Sequence, residues 1–361
     1  MRRLKPLSAD ITLMAYPVHD SFKLIPKLAL AFLCSAAMHV QVNAQNAIAG
    51  KTEILDAPSV RAWLSRIDEA AAHTNYQGTF VVSAGGTVSS ARILHVCEGA
   101  NQIESIENLD GVARRVIRFN DEVQTLWPQQ KVLLIAQRRM VGEFPALLKG
   151  SVDRINEVYV ISREGQERVA GFDADVLSVR PRDDARFGHR LWAEVKTGLL
   201  LRAEVLGASD EVLESAAFSD LLMNNKLSAT KLQQARKNQV GLRVIHQDLQ
   251  QTQLEAEGWL MRSMAPGFRA VGAVRREMNS ALDDPSGKAV NAVQAVYSDG
   301  MTYVSIFIEP FAPERHKRAV QTSIGATHTM MRRQGSWWIT LMGDVPPPTL
   351  LQFYKALERR H

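Results

Sequence analysis

Two cysteines in 361 residues are too few for a disulfide framework, and only Cys97 lies beyond the first 44 residues. A chain without cross-links is held by its buried core, which this length allows. Cys34 follows Leu33 rather than a small residue, a poor setting for a lipidated cysteine. Cys97 reads as a small buried side chain on a strand, with a redox switch as the alternative. No two of the nine histidines stand at the i, i+4 spacing of a helical zinc pair. There is no nucleophile elbow, no phosphate-binding glycine loop and no cysteine-rich metal cluster. Asp183-Asp184 and Asp283-Asp284 sit beside prolines, where solvated turn aspartates are common. The expectation is therefore a protein that is not an enzyme, with no catalytic residue, cofactor or metal.

Charge of one sign is also scarce. Of 43 basic and 38 acidic residues, five and two fall in Met1–Ala44, leaving 38 against 36 and a net charge of +2. Nucleic-acid binding shows as a concentrated basic surface, so none is expected. The longest apolar run, Leu28 to Met38, is short for a membrane-crossing helix. Preceded by Lys23 and Lys27 and followed by Val42-Asn43-Ala44, it has the parts of a secretory signal peptide. Residues 1–44 are read as that leader, with Met14 a second candidate start and an uncleaved anchor the alternative. The mature chain is then exported to the periplasm.

What is present is mostly strand. Helical spacing occurs at once, in Val60, Trp63, Leu64, Ile67 and Ala71, with Pro58 in the first turn. From Tyr76 onward, period-two runs alternate with glycine- and asparagine-marked turns: Tyr76–Ser83, Val88–Val96, Asn101–Glu107, Val112–Arg118, Val123–Trp127 and Lys131–Ala136. Phe144 to Leu148 reads as a short covering segment. Strands resume over Glu157–Arg163, Arg168–Arg180, the hairpin Arg186–Leu206 around Gly198, and Val212–Phe218. With no helix long enough for a parallel crossover, this is an antiparallel meander that must curl to limit its edges, plugged by the first helix.

Residues 227–253 turn polar and read as a linker with some helical tendency. A second, smaller α+β unit follows over 254–361. Its hairpins are Ala292–Tyr297 with Tyr303–Ile308, and Thr327–Arg332 with Trp337–Leu341. A final helix is expected from Thr349 through the basic end at Arg359 and Arg360. The fold class is α+β, with domains at 45–226 and 254–361. Arg332, Arg333, Trp337 and Trp338 are the candidate partner contacts, and Arg114-Arg115 the remaining basic pair.

Several separated motifs carry a resemblance. These are GTFVVSAGG (Gly78–Gly86), ARRVIRFNDEVQTLWP (Ala113–Pro128) and RVAGFDADVLSVRPRDDARFGHRLW (Arg168–Trp192). APGF (Ala265–Phe268), YSDGMTYVSIFIEP (Tyr297–Pro310) and GATHTMMRRQGSWWITLMGDVPPPTL (Gly325–Leu350) follow in order. Together they resemble the MucB/RseB family, regulators of the sigma-E envelope-stress response. The departures are Cys97 and Met261-Arg262-Ser263-Met264. The resemblance implies a LolA/LolB-like half-barrel and a smaller second domain. It implies binding to the periplasmic region of a membrane-spanning anti-sigma factor, shielding it from proteolysis, with lipopolysaccharide or acyl chains as the release signal. The candidate acyl lining is Phe80, Val82, Leu126, Phe144, Leu147, Leu148, Tyr159 and Trp192. A lipid or lipoprotein carrier on the same half-barrel is the alternative, and a homo-oligomer is left open.

Overall fold

The computed structural model describes residues 52–99, 101–137, 155–224, 229–237, 239–247, 249–278 and 290–360. The leader, Phe144, Leu147, Leu148 and Asp283-Asp284 lie outside the described residues.

The chain opens with β1 (Glu53–Ile54) and α1 (Ala57–His73). Asp56 caps α1 by accepting the Ser59 N–H at 2.9 Å, and proline fills the first turn, where an N–H has no partner. The meander follows: β2 (Tyr76–Ala84), β3 (Thr87–Glu98), β4 (Asn101–Asn108), β5 (Arg115–Phe119), β6 (Glu122–Trp127) and β7 (Val132–Gln137). After α2 (Ile155–Val158) come β8 (Tyr159–Val169), β9 (Phe172–Pro181), β10 (Gly188–Glu194), β11 (Leu200–Leu206) and β12 (Val212–Met223). The run expected as one strand over Arg168–Arg180 is broken at Ala170-Gly171. Both residues take positive φ, so the chain reverses there. At the β10–β11 hairpin, Gly198 has φ +85° and lies against Arg66, leaving no room for a Cβ.

Residues 227–253 supply α3 (Ala229–Lys237), β13 (Arg243–Gln247) and β14 (Leu249–Thr252). Then come β15 (Trp259–Met261), β16 (Arg269–Met278), β17 (Val290–Ser298), β18 (Tyr303–Pro310), β19 (Val320–Ile324), β20 (Thr327–Gln334) and β21 (Trp337–Gly343). The chain closes with α4 (Pro347–Ala356) and β22 (Leu357–Arg359). The expected final helix is therefore shorter at its basic end. Leu357 to Arg359 leave it to pair with Trp259–Met261, where Arg359 stacks on Trp259 and Trp337.

Among the described residues, thirteen strands form one sheet in the order β1-β8-β9-β10-β11-β12-β2-β3-β4-β5-β6-β7-β13. The described pairings in it are antiparallel except β7 with β13. A second sheet, β14-β16-β17-β18-β21-β20-β19, belongs to the C-terminal domain. Cross-strand partners share a face, so register sorts the first sheet. Val82, Ala216, Ala203, Leu191 and Leu177 lie in one row. That face takes α1, whose Val60, Leu64 and Ile67 pack with Leu177, Leu191, Ala193 and Leu200. The opposite face takes α3: Ala229 and Leu232 cover Val96, Ile103 and Ile117 of β3–β5. In the second sheet α4 lays Leu350 and Phe353 on Tyr297, Ile306 and Leu341.

Candidate functional site

The proposed acyl lining divides between faces. Phe80 and Val82 are buried on the α1 face. Trp192 shares its row with Val176, Arg202, Ala217 and Val81, the row next to that of Val82, and belongs to the same buried cluster as Phe80 and Val82. There its Nε1–H donates to Glu167 Oε2 at 2.8 Å and the Arg202 guanidinium stacks 4.5 Å from its ring. Leu126 pairs through Arg115, Glu107 and Arg92 to Thr79, again the face away from Phe80. Tyr159 is fully buried at the boundary with the second domain.

A loosely covered stretch of the α1 face went unread in the sequence. Ile93, Ile106, Val116, Thr125 and Leu134 form one row across β3 to β7, and all but Ile93 are half-buried. One residue pair along, Glu104 and Arg118 form a 2.8 Å ion pair beside His95, which stacks on Tyr76. This is an apolar surface with a charged rim. Cys97 donates its Sγ–H to Ala72 O at 2.7 Å, and burial raises its thiol pKa, which disfavours the reactive thiolate.

The candidate partner contacts are engaged within the domain. The Arg332 guanidinium stands 5.6 Å from the Tyr354 ring and that of Arg333 4.0 Å from Phe311. Trp338 is buried and stacked on His316 at 4.7 Å, while Trp337 packs edge-on against Trp259. Trp337 and Trp338 thus do take opposite faces of β21, and Arg333 is the exposed member of the group.

The most constrained constellation is the seam between domains. Arg186, from the loop before β10, is buried and fixed on every side. Its Nε and Nη2 donate to Asp183 at 2.9 and 3.1 Å, and its Nη1 donates to Asp299 Oδ2 at 2.6 Å. Nη2 also donates to Pro266 O, and the guanidinium lies between the Tyr159 and Phe268 rings. Asp299 accepts Tyr159 Oη–H on the same oxygen, and the Met301 and Thr302 N–H groups on the other. Burial works against the Arg186 charge, but Asp183 and Asp299 outweigh it and raise its pKa. Burial, then the Asp299 charge, holds the Tyr159 hydroxyl well above its ordinary value, and burial lowers His189 to about 4. Gly267 is obligatory here: φ is +81° and a Cβ would fall 2.6 Å from Val158. Thr349 Oγ1 donates across the seam to Ala185 O at 2.9 Å.

The other end of the seam is built differently. The Gly325 turn presses on the first domain, where a Cβ on Gly325 would lie 2.8 Å from that of Ala84 and 3.0 Å from Glu214 Oε2. The Ala326 N–H donates to the Glu214 carboxyl, and Thr327 Oγ1 donates to Asp344 Oδ1 at 2.6 Å. Burial first, then the Asp344 charge, lifts Glu214 to about 7; burial also raises Asp344.

The motif RPRDDAR thus meets APGF, YSDG and GDVPPPT in one joint. Family models agree: the MucB/RseB N-terminal domain matches residues 59–236 and the MucB/RseB C-terminal domain residues 253–358. The chain belongs to the MucB/RseB family. The sigma factor AlgU regulatory protein MucB of Pseudomonas aeruginosa is 28% identical over 289 residues, covering 79% of this chain and 86% of the relative. The sigma-E factor regulatory protein RseB of Escherichia coli K12 is 22% identical over 292 residues, covering 81% and 88%. A crystal structure of MucB in complex with MucA(peri) superposes with a TM-score of 0.61 at 23% identity, covering 85% of this chain and all of that one. The complex structure of P. aeruginosa MucA/MucB gives 0.62 at 23% identity, covering 84% and 99%. No helix among the described residues is long and apolar enough to cross a membrane.

Proposed function

We propose that this protein is a periplasmic regulator that binds the periplasmic region of a membrane anti-sigma factor, shields it from proteolysis and releases it when acyl chains of lipopolysaccharide occupy the first domain. Family membership over both domains carries the reading, because the relatives are named as sigma factor regulatory proteins and MucB is seen in complex with MucA. A carrier of lipid or lipoprotein has no evident use for the second sheet or for its locked seam. The half-covered row Ile106, Val116, Leu134 offers the acyl surface, with Phe80 and Val82 at its packed end. Phe144, Leu147 and Leu148 retain their proposed covering role. Arg333 and Trp337 are the accessible candidates for partner contact.

Burying one CH₂ contributes about 0.8 kcal/mol, so an acyl chain can outweigh many partner contacts. Linkage then requires the partner to weaken acyl binding by the same factor. The test is to titrate lipopolysaccharide into the preformed complex with the anti-sigma periplasmic region and to measure free partner. Release is expected from wild type and is expected to need at least tenfold more ligand in Val116→Asp or Leu134→Asp. Release unchanged in both folded variants removes this surface from the reading. A protein that never captures the anti-sigma region overturns the reading itself.

A further inference from the structure

We propose that the domain seam is a one-sided, proton-gated joint: it stays fixed at Arg186–Asp299 and opens at the Gly325 turn when Glu214 loses its proton beside Asp344. The two ends are held differently, and one bond within the second domain links them, Thr302 Oγ1 donating to Asp344 O at 2.8 Å. At the first, both carboxylate oxygens of Asp299 are engaged, and Arg186 has partners in both domains. Around it Arg186 stays charged, and Tyr159 and His189 stay neutral, between pH 5.5 and 7.5.

At the second end, two acids bear on one turn from opposite sides. Glu214 on β12 comes from the first domain and touches Gly325 and the Ala326 N–H. Asp344, just past β21, comes from the second and holds Thr327. The other titratable neighbour is His328, which faces Asp344, stacks its ring 5.9 Å from Phe187 and approaches Ala326 O with Nδ1 at 3.0 Å. Among the described residues, no lysine or arginine is among the charges acting on Glu214. Two like charges facing each other across a partly dry seam repel, and the cheapest relief is a retained proton or separation. Separation here uncovers Ala326 and parts the Phe187–His328 rings, with no ion pair across the turn among the described residues to hold it. Two glycine turns, Gly85 and Gly325, meet backbone to backbone, with the Gly325 N 3.1 Å from a Cβ built on Gly85.

The sign follows from linkage. Glu214 binds its proton more tightly in the closed seam, at about 7 against 4.5, so closure is favoured at low pH and weakened as pH rises through 7. Between pH 5.5 and 7.5 the closing equilibrium falls roughly twenty-fold from Glu214 alone. Amide hydrogen exchange on the full mature chain tests this, each rate corrected for its intrinsic pH dependence. Protection of the Ala326 amide and its neighbours in the 324–328 turn is expected to drop roughly twenty-fold between those pH values. Protection of the Met301 and Thr302 amides, at the Arg186 end, is expected to hold. Glu214→Gln should abolish the pH dependence and keep the turn protected at pH 7.5. Asp344→Asn, which removes only the neighbour's charge, should move the midpoint to lower pH. Wild-type protection that ignores pH, a slope that survives in Glu214→Gln, or both ends opening together each overturns the joint.

Discussion

The two halves of the first sheet differ in how their α1-side face is covered. Across β8–β11, Leu177, Leu191, Ala193 and Leu200 lie under α1 and are almost wholly buried. Across β4–β7 the same face offers Ile106, Val116, Thr125 and Leu134, each only half-buried. The sheet is continuous, yet one half is a core and the other a surface. Helix α3 explains part of this. It covers β3–β5 from the opposite side, so that half is stabilised without closing the α1-side face.

The strongest way to break the comparison is to delete matched side chains. Leu191→Ala should destabilise by about 2–5 kcal/mol in urea titration, whereas Val116→Ala should cost under about 1 kcal/mol. Equal losses would make the two halves one core. Next in size is the acid response of the packed half. His189 has a folded pKa of about 4 against 6.5 unfolded, so the unfolded chain takes up a proton first as pH falls. Its contribution is complete above pH 6.5 and is lost toward pH 4, about 3 kcal/mol over that window. Glu214 slopes the other way, gaining stability as pH falls from 7 to 4.5. The His189 loss should therefore appear cleanly in Glu214→Gln and vanish when His189→Leu is added.

A smaller effect sharpens the contrast. Glu167→Ala leaves the buried Trp192 indole N–H without its acceptor and should cost roughly 1–2 kcal/mol, with a shift in tryptophan emission. Smallest is Arg180→Ala, which breaks an exposed pair with Asp210 and should change stability by less than about 0.5 kcal/mol.

Much of the strand order was legible in the sequence, whereas this contrast was not, and the limits are physical. Hairpins whose turns carry glycine, at Gly85, Gly198, Gly300 and Gly335, were readable because period two on both sides leaves few registers. The turn at Ala170 hid because its first positive-φ residue is not glycine. β13 is polar and joins β7 in parallel, a pairing that no local pattern announces. Helical spacing at α4 was plain, but Leu357 leaving it for β15 is decided by Trp259, about a hundred residues away. The face that Leu126 takes was not readable, since parity along one strand does not propagate without the register of its neighbours. Arg186 and Asp299 stood inside quoted motifs, yet their meeting depends on how two domains dock, and burial by a second body has no period.

The pairing of β2 with β12 carries a consequence for how the molecule is made. Tyr76 lies opposite Met223, so the sheet cannot join its two runs of hairpins until nearly the whole first domain has been synthesised. Loop closure of that span is slow compared with the local hairpins on either side, which form within microseconds to milliseconds. For that interval β2 and β12 are apolar strands with open edges, the arrangement that recruits other chains. The period of greatest risk for this protein therefore comes before it is folded, and a holding chaperone acting on the nascent first domain would do more for its yield than any added contact in the finished structure.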